Sequence, residues 1–123
     1  MSKITIFQLP IKTVSEANNT EHWTKKAKRH RIQKWLVKKV FLDNKFKFKL
    51  PIEITFIRIA TRELDKEDNL PMSIKYIKDA IADLIIPGLA PGRADDSKEI
   101  TWKYDQRKGK VRENYIEVIV KEL

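Results

Sequence analysis

The rhythm of hydrophobic and polar positions changes repeatedly along the chain, and each change marks an element. Residues 3–9 alternate with period two, as a half-buried strand does, and Pro10 closes the run. A turn-rich stretch follows, Ser15-Glu16-Ala17-Asn18-Asn19-Thr20. Thr20, with Trp23 and Ala27, opens a helix that runs from Trp23 to about Leu42, where Ile32, Trp35, Leu36 and Val40 recur at helical spacing. Asp43 and Asn44 end it. The tract Lys45-Phe46-Lys47-Phe48-Lys49 leads into a second strand, in which Ile52, Ile54 and Phe56 alternate with Glu53 and Thr55. Past the polar stretch Thr61 to Asn69, a second helix reaches about Ile86. Asp68 or Asn69 suits its N-cap, and Pro71 fits the first turn, where a missing N–H leaves no bond unmade. Pro87 to Arg93 is a loop. Ile100, Trp102 and Tyr104 alternate as a third strand, and Lys108-Gly109 turns the chain into a fourth from Tyr115 to Val120, so that the last pair reads as a hairpin. The order β-α-β-α-β-β predicts one small α+β domain over residues 1–123, a mixed sheet with two helices.

Composition narrows the class of partner. A chain of 123 residues that is 41% hydrophobic buries one modest core, and a dimer partner would add stability at this size. Lysine and arginine number 26 against 17 acids, a net charge of +9, which favours polyanions because each neutralised phosphate releases condensed counterions. Cysteine is absent, which excludes disulfides and thiolate zinc sites and suits a reducing cytoplasm. The N-terminus alternates like a strand and lacks the apolar run of a signal peptide, and no stretch nears the ~18 apolar residues of a membrane span. A cytoplasmic protein without a membrane partner is expected. With no Gly-rich phosphate loop, nucleophile elbow or Cys/His constellation, nucleotide-hydrolysing and covalent-nucleophile chemistry are disfavoured, and no nucleotide cofactor is expected.

Acids are scarce, so their placement carries information. Glu63, Asp65, Glu67 and Asp68 crowd the junction before the second helix, and Asp95 with Asp96 follow the Pro/Gly loop. Carboxylates bunched this way repel one another and stay ionised together most easily around a cation. Oxygen ligands without His or Cys point to magnesium, with manganese as the alternative. A solvated acidic loop with an N-cap accounts for the same pattern. On the second helix, Leu70, Ile74, Ile77, Ile81 and Leu84 fall in one stripe about 80° wide. Asp68, Lys75 and Asp79 share the opposite side, so a lysine stands in line with acids, able to neutralise charge building on a metal-bound phosphate. An i,i+4 surface pair of Lys75 with Asp79 is the plainer account of the last two.

The first helix supplies the positive half. Lys25, Lys26, Lys28, Arg29, Arg31, Lys34, Lys38 and Lys39 stand against one acid, Glu21, a net +7 on one element. Such a helix binds nucleic-acid backbone; a membrane surface fits less well because the apolar face is interrupted. Trp23 and Trp35 read as core aromatics, with stacking on bases as the alternative. His22 and His30 read as surface or capping residues rather than catalytic bases.

Three strings then become recognisable: Leu64-Asp65-Lys66-Glu67-Asp68-Asn69-Leu70, Lys75 followed by Lys78-Asp79-Ala80, and Asp95-Asp96-Ser97-Lys98 ahead of Ile100-Thr101-Trp102. Together they resemble the RusA family of Holliday-junction resolvases, whose members carry Asp-x-Asp-Asn-Leu, a helical Lys with Asp four residues on, and a later Asp-Asp pair before a strand. Leu9-Pro10 with Ser15 and Asn18-Asn19 is similar to the family's opening, so the likeness covers nearly the whole chain. The resemblance implies a homodimeric, magnesium-dependent endonuclease that resolves four-way DNA junctions in recombination and repair by paired cuts. It assigns Asp68 and Asp96 as metal ligands, Lys75 as the essential lysine, and Asn69, Asp79 and Asp95 as supporting residues. The spacing departs at one point. Two residues, not one, separate Asp65 from Asp68, and strict spacing would put Lys66 in the first acidic position. Either a one-residue bulge lets Asp65 reach the metal, the favoured expectation, or Glu67 replaces it.

Overall fold

A computed structural model describes residues 3–14, 22–67, 69–87 and 97–123. The elements follow the expected order: β1 (Ile4–Leu9), α1 (Trp23–Asn44), β2 (Ile52–Ala60), α2 (Asn69–Ile85), β3 (Ile100–Lys108) and β4 (Tyr115–Glu122). Four strands form one mixed sheet in the order β1-β4-β2-β3. Residues of even number in β2, Ile52, Ile54 and Phe56, face the helices and meet Val118, Val120, Ile100, Phe7 and Leu9 from the other strands. Val37 and Phe41 of α1 and Leu70, Ile74, Ile77 and Ile81 of α2 close the same core, so both helices cover one face of the sheet. The opposite face carries Ile4 and Ile6, both exposed, among mostly polar and charged residues such as Glu53 and Lys103, which pair at 3.4 Å.

The expected terminal hairpin is not formed. β2 lies between β3 and β4, parallel to the first and antiparallel to the second. A strand apolar on both sides, as Phe56-Ile57 and Ile59-Ala60 make β2, belongs inside a sheet rather than beside a two-stranded ribbon. Residues 109–114 therefore carry the chain from β3 across the end of β2 to β4. Gly109 makes the crossing possible. Its N–H donates to the Ala60 carbonyl at 2.8 Å, and a Cβ there would stand 2.8 Å from Ile59 Cγ2.

The inward face of α1 also differs from the expected one. Gln33, Val37 and Phe41 are buried, Leu36 and Val40 partly so, whereas Ile32 is exposed and Trp23 and Trp35 are 72% and 59% exposed. The two tryptophans are thus not core residues. A glutamine at an inward position breaks the apolar stripe, and the periodicity then reads one position early. His22 caps the helix, its Nδ1 accepting from the Thr24 N–H at 3.2 Å. The far end closes on Lys45 in the left-handed conformation, with the Phe46 N–H donating to the Phe41 carbonyl and the two rings edge to face. Phe46 and Phe48 fold back onto Phe41 rather than forming a strand, which sends Lys45, Lys47 and Lys49 to solvent.

Candidate functional site

At the carboxyl end of β2 two polar residues occupy inward positions that the alternation would give to hydrophobes. Arg58 continues the series Ile54, Phe56, and its partner across β3 is Gln106. Arg58 is 7% exposed. Its Nε donates to Thr13 Oγ1 at 2.8 Å, its NH2 group to the Thr13 carbonyl at 3.2 Å and its NH1 group to the Arg62 carbonyl at 2.7 Å. Gln106 grips the next turn of chain at two points. Its Oε1 accepts from the Leu64 N–H at 2.8 Å, and its Nε2 donates to the Leu64 carbonyl at 2.6 Å. One residue further, the Asp65 carbonyl accepts from Leu70 N–H at 2.8 Å, tying the acidic stretch to the start of α2. The segment that leads to the acids is therefore fixed from the sheet below it and from the helix beside it, while Glu63, Asp65, Lys66 and Glu67 are exposed.

Asn69 begins α2 and is half-buried. Lys75 lies on the exposed side, its Nζ 5.8 Å from the ring centre of Tyr76, and Asp79 is half-buried one turn on. Tyr76 stacks on His30 at 3.5 Å between centroids, so His30 joins the two helices. Asp68, Asp95 and Asp96 lie outside the described residues. Of the three expected metal ligands Asp65 alone is described, and among the described residues no three His, Cys, Asp or Glu side chains come together as a metal site.

In the sequence the two acidic stretches flank α2. Leu64 is anchored at the level of Gln106, and Ser97, which directly follows Asp96 in the sequence, accepts from the Ile100 N–H at the other end of β3. Six residue steps of strand run from Ile100 to Gln106, about 20 Å at ~3.3 Å per residue.

Positive charge gathers in two places. On α1, Lys25, Lys28, Arg31 and Lys34 are exposed, while Lys26 and Arg29 are half-buried. Trp35 stands outward among Lys28, Arg31, Lys38 and Lys39, within about 100° of helix rotation. A groove of about 320 Å³ runs between this helix and residues 10–12, lined by Lys12, Lys25, Lys28 and Arg29. Its wall includes Gln33, 2% exposed, whose carboxamide nitrogen and oxygen are both without a hydrogen-bond partner among the described residues. The second gathering is a cleft of about 480 Å³ at the carboxyl end of β2, where Lys12, Arg58, Arg62 and Arg112 meet and, among the described residues, no carboxylate lines the wall.

Sequence reasoning missed Arg58, Gln106 and Arg112. A signal existed for Arg58, which has the parity of Ile52, Ile54 and Phe56; Arg112 is brought here only by the crossing connection. No described helix is long and apolar enough to cross a membrane. No family model matches the chain, and no curated protein matches it either.

Proposed function

We propose that the chain is a magnesium-dependent, structure-selective DNA endonuclease of the RusA type, acting as a homodimer on four-way junctions. One observation carries the reading: the loop bearing Asp65 is pinned by Arg58 and Gln106 at the carboxyl end of β2, directly beside a cleft of cations. Phosphodiester hydrolysis needs this juxtaposition. Carboxylates would hold a magnesium ion, which when bound would supply an activated water, and cations nearby would balance the charge that builds on the phosphate. Asp65, Asp68 and Asp96 are the ligands in this reading, Lys75 the electrostatic partner, and Asn69, Asp79 and Asp95 their support.

A junction is nearly two-fold symmetric, so a two-fold dimer would present one such site to each of two strands. The test is cleavage of a labelled four-way junction and of linear duplex, with and without magnesium, by the wild type, by Asp65→Asn and by Asp96→Asn. Magnesium-dependent junction cutting that each variant loses is the expected result. Absence of cutting by the wild type removes the nuclease. Activity retained by both variants removes this ligand assignment.

A second reading, a non-catalytic nucleic-acid-binding module, draws on the outward tryptophans of α1. Trp35 among four cations is a stacking platform on a charged track, which binds without cutting.

A further inference from the structure

Arg58 poses an energetic question that the acid loop alone does not answer. A guanidinium taken out of water needs a countercharge or a full set of hydrogen bonds. Here three of its five N–H groups meet neutral oxygens, those of Thr13 and Arg62, and among the described residues none of its bonds reaches a carboxylate. Burial holds the guanidinium below its ordinary range.

Its neighbours deepen the imbalance. The cleft of about 480 Å³ that Arg58 lines also takes Lys12, Arg62 and Arg112, with Thr61 and Asn114 as neutral polar groups. Four cations with no acid among the described lining residues repel one another and gain when an anion enters. Arg112 is held there at a cost. It has φ 67°, in a turn closed by the Glu113 N–H donating to the Lys110 carbonyl at 3.0 Å. That turn position favours glycine or asparagine, and a long side chain in the left-handed region persists only where surrounding structure compensates.

We propose that this cleft is a phosphate-binding site that grips a backbone phosphodiester of the nucleic acid next to the acid-bearing loop. The inference rests on the nucleic-acid reading above and adds the contact that sets register there. A guanidinium presents paired N–H groups matched to two phosphate oxygens, and Arg58 is already oriented by its bonds to Thr13. Lys12 lines both this cleft and the groove against α1. It joins them into one track, along which a strand held by the helix would be delivered to Asp65.

The test uses the full chain, isotope-labelled so that arginine Nε–H signals are followed by NMR, with inorganic phosphate and a short DNA duplex as separate probes. Arg112→Gly is the principal variant, because glycine suits φ 67° and the fold is kept or stabilised while the cation is lost. The Arg58 and Arg112 signals should move with both probes. Arg112→Gly should weaken duplex binding several-fold and flatten the slope of log K against log salt by about 0.9, one phosphate contact. Unmoved Arg58 and Arg112 signals, or unchanged affinity and slope in Arg112→Gly, overturn the site. Signals that move with inorganic phosphate but not with duplex overturn the backbone assignment. Duplex binding through the cleft without magnesium-dependent cutting leaves this site standing and removes the nuclease; cutting with an indifferent cleft does the reverse.

Discussion

Replacing Gln106 by Met removes the clamp on Leu64 while keeping the side-chain length. Two hydrogen bonds go, at 2.8 and 2.6 Å, and both are part-buried, so water substitutes incompletely for them. At about 1 kcal/mol net for each neutral bond, the loss is about 2 kcal/mol. For a domain of this size that lowers Tm by about 8 °C. Because the bonds position the chain directly before Asp65, the proposed nuclease activity should fall by more than the unfolded fraction accounts for. Gln106→Glu sharpens the argument. Its ionised carboxylate still accepts from the Leu64 N–H but sets an oxygen against the Leu64 carbonyl, whereas the protonated acid donates to it as the amide does. The folded state thus raises the carboxyl above its unfolded value near 4.3, so the variant gains stability relative to wild type as pH falls through that range. Thermal denaturation at pH 7 and pH 4, with amide exchange at Leu64, measures both effects. A Gln106→Met protein within about 0.5 kcal/mol of wild type, the scatter of an ordinary surface change, would refute the clamp.

Three further outcomes are expected. Asp65→Asn should cost orders of magnitude in single-turnover cleavage and Glu67→Gln almost nothing, and the reverse would identify glutamate as the ligand. Gly109→Ala should destabilise by about 1–3 kcal/mol in denaturant titration, since its Cβ would stand 2.8 Å from Cγ2 of the buried Ile59. Replacing Lys25, Lys28 and Arg31 together with Ala should leave Tm nearly unchanged and flatten the salt slope of DNA binding by up to about 2.7; an unchanged slope would place the footprint off α1.

The order of elements was legible in the sequence because periodicity is a local property. Ile52, Ile54 and Phe56 can only be a half-buried strand, and Leu70, Ile74, Ile77 and Ile81 only one face of a helix. The charge of α1 and the crowding of acids before α2 were legible for the same reason. Neighbourhood in the sheet was not. β3 and β4 are adjacent in sequence yet separated by β2, a choice made by the competition of whole strands for the sheet interior, which no window of sequence contains. The core-facing side of α1 was likewise decided by packing, where Gln33 goes in and Trp35 stays out. The cleft exists only through tertiary structure. Lys12, Arg58 and Arg112 come from separate stretches of chain, and they meet because the connection from β3 must cross the end of β2.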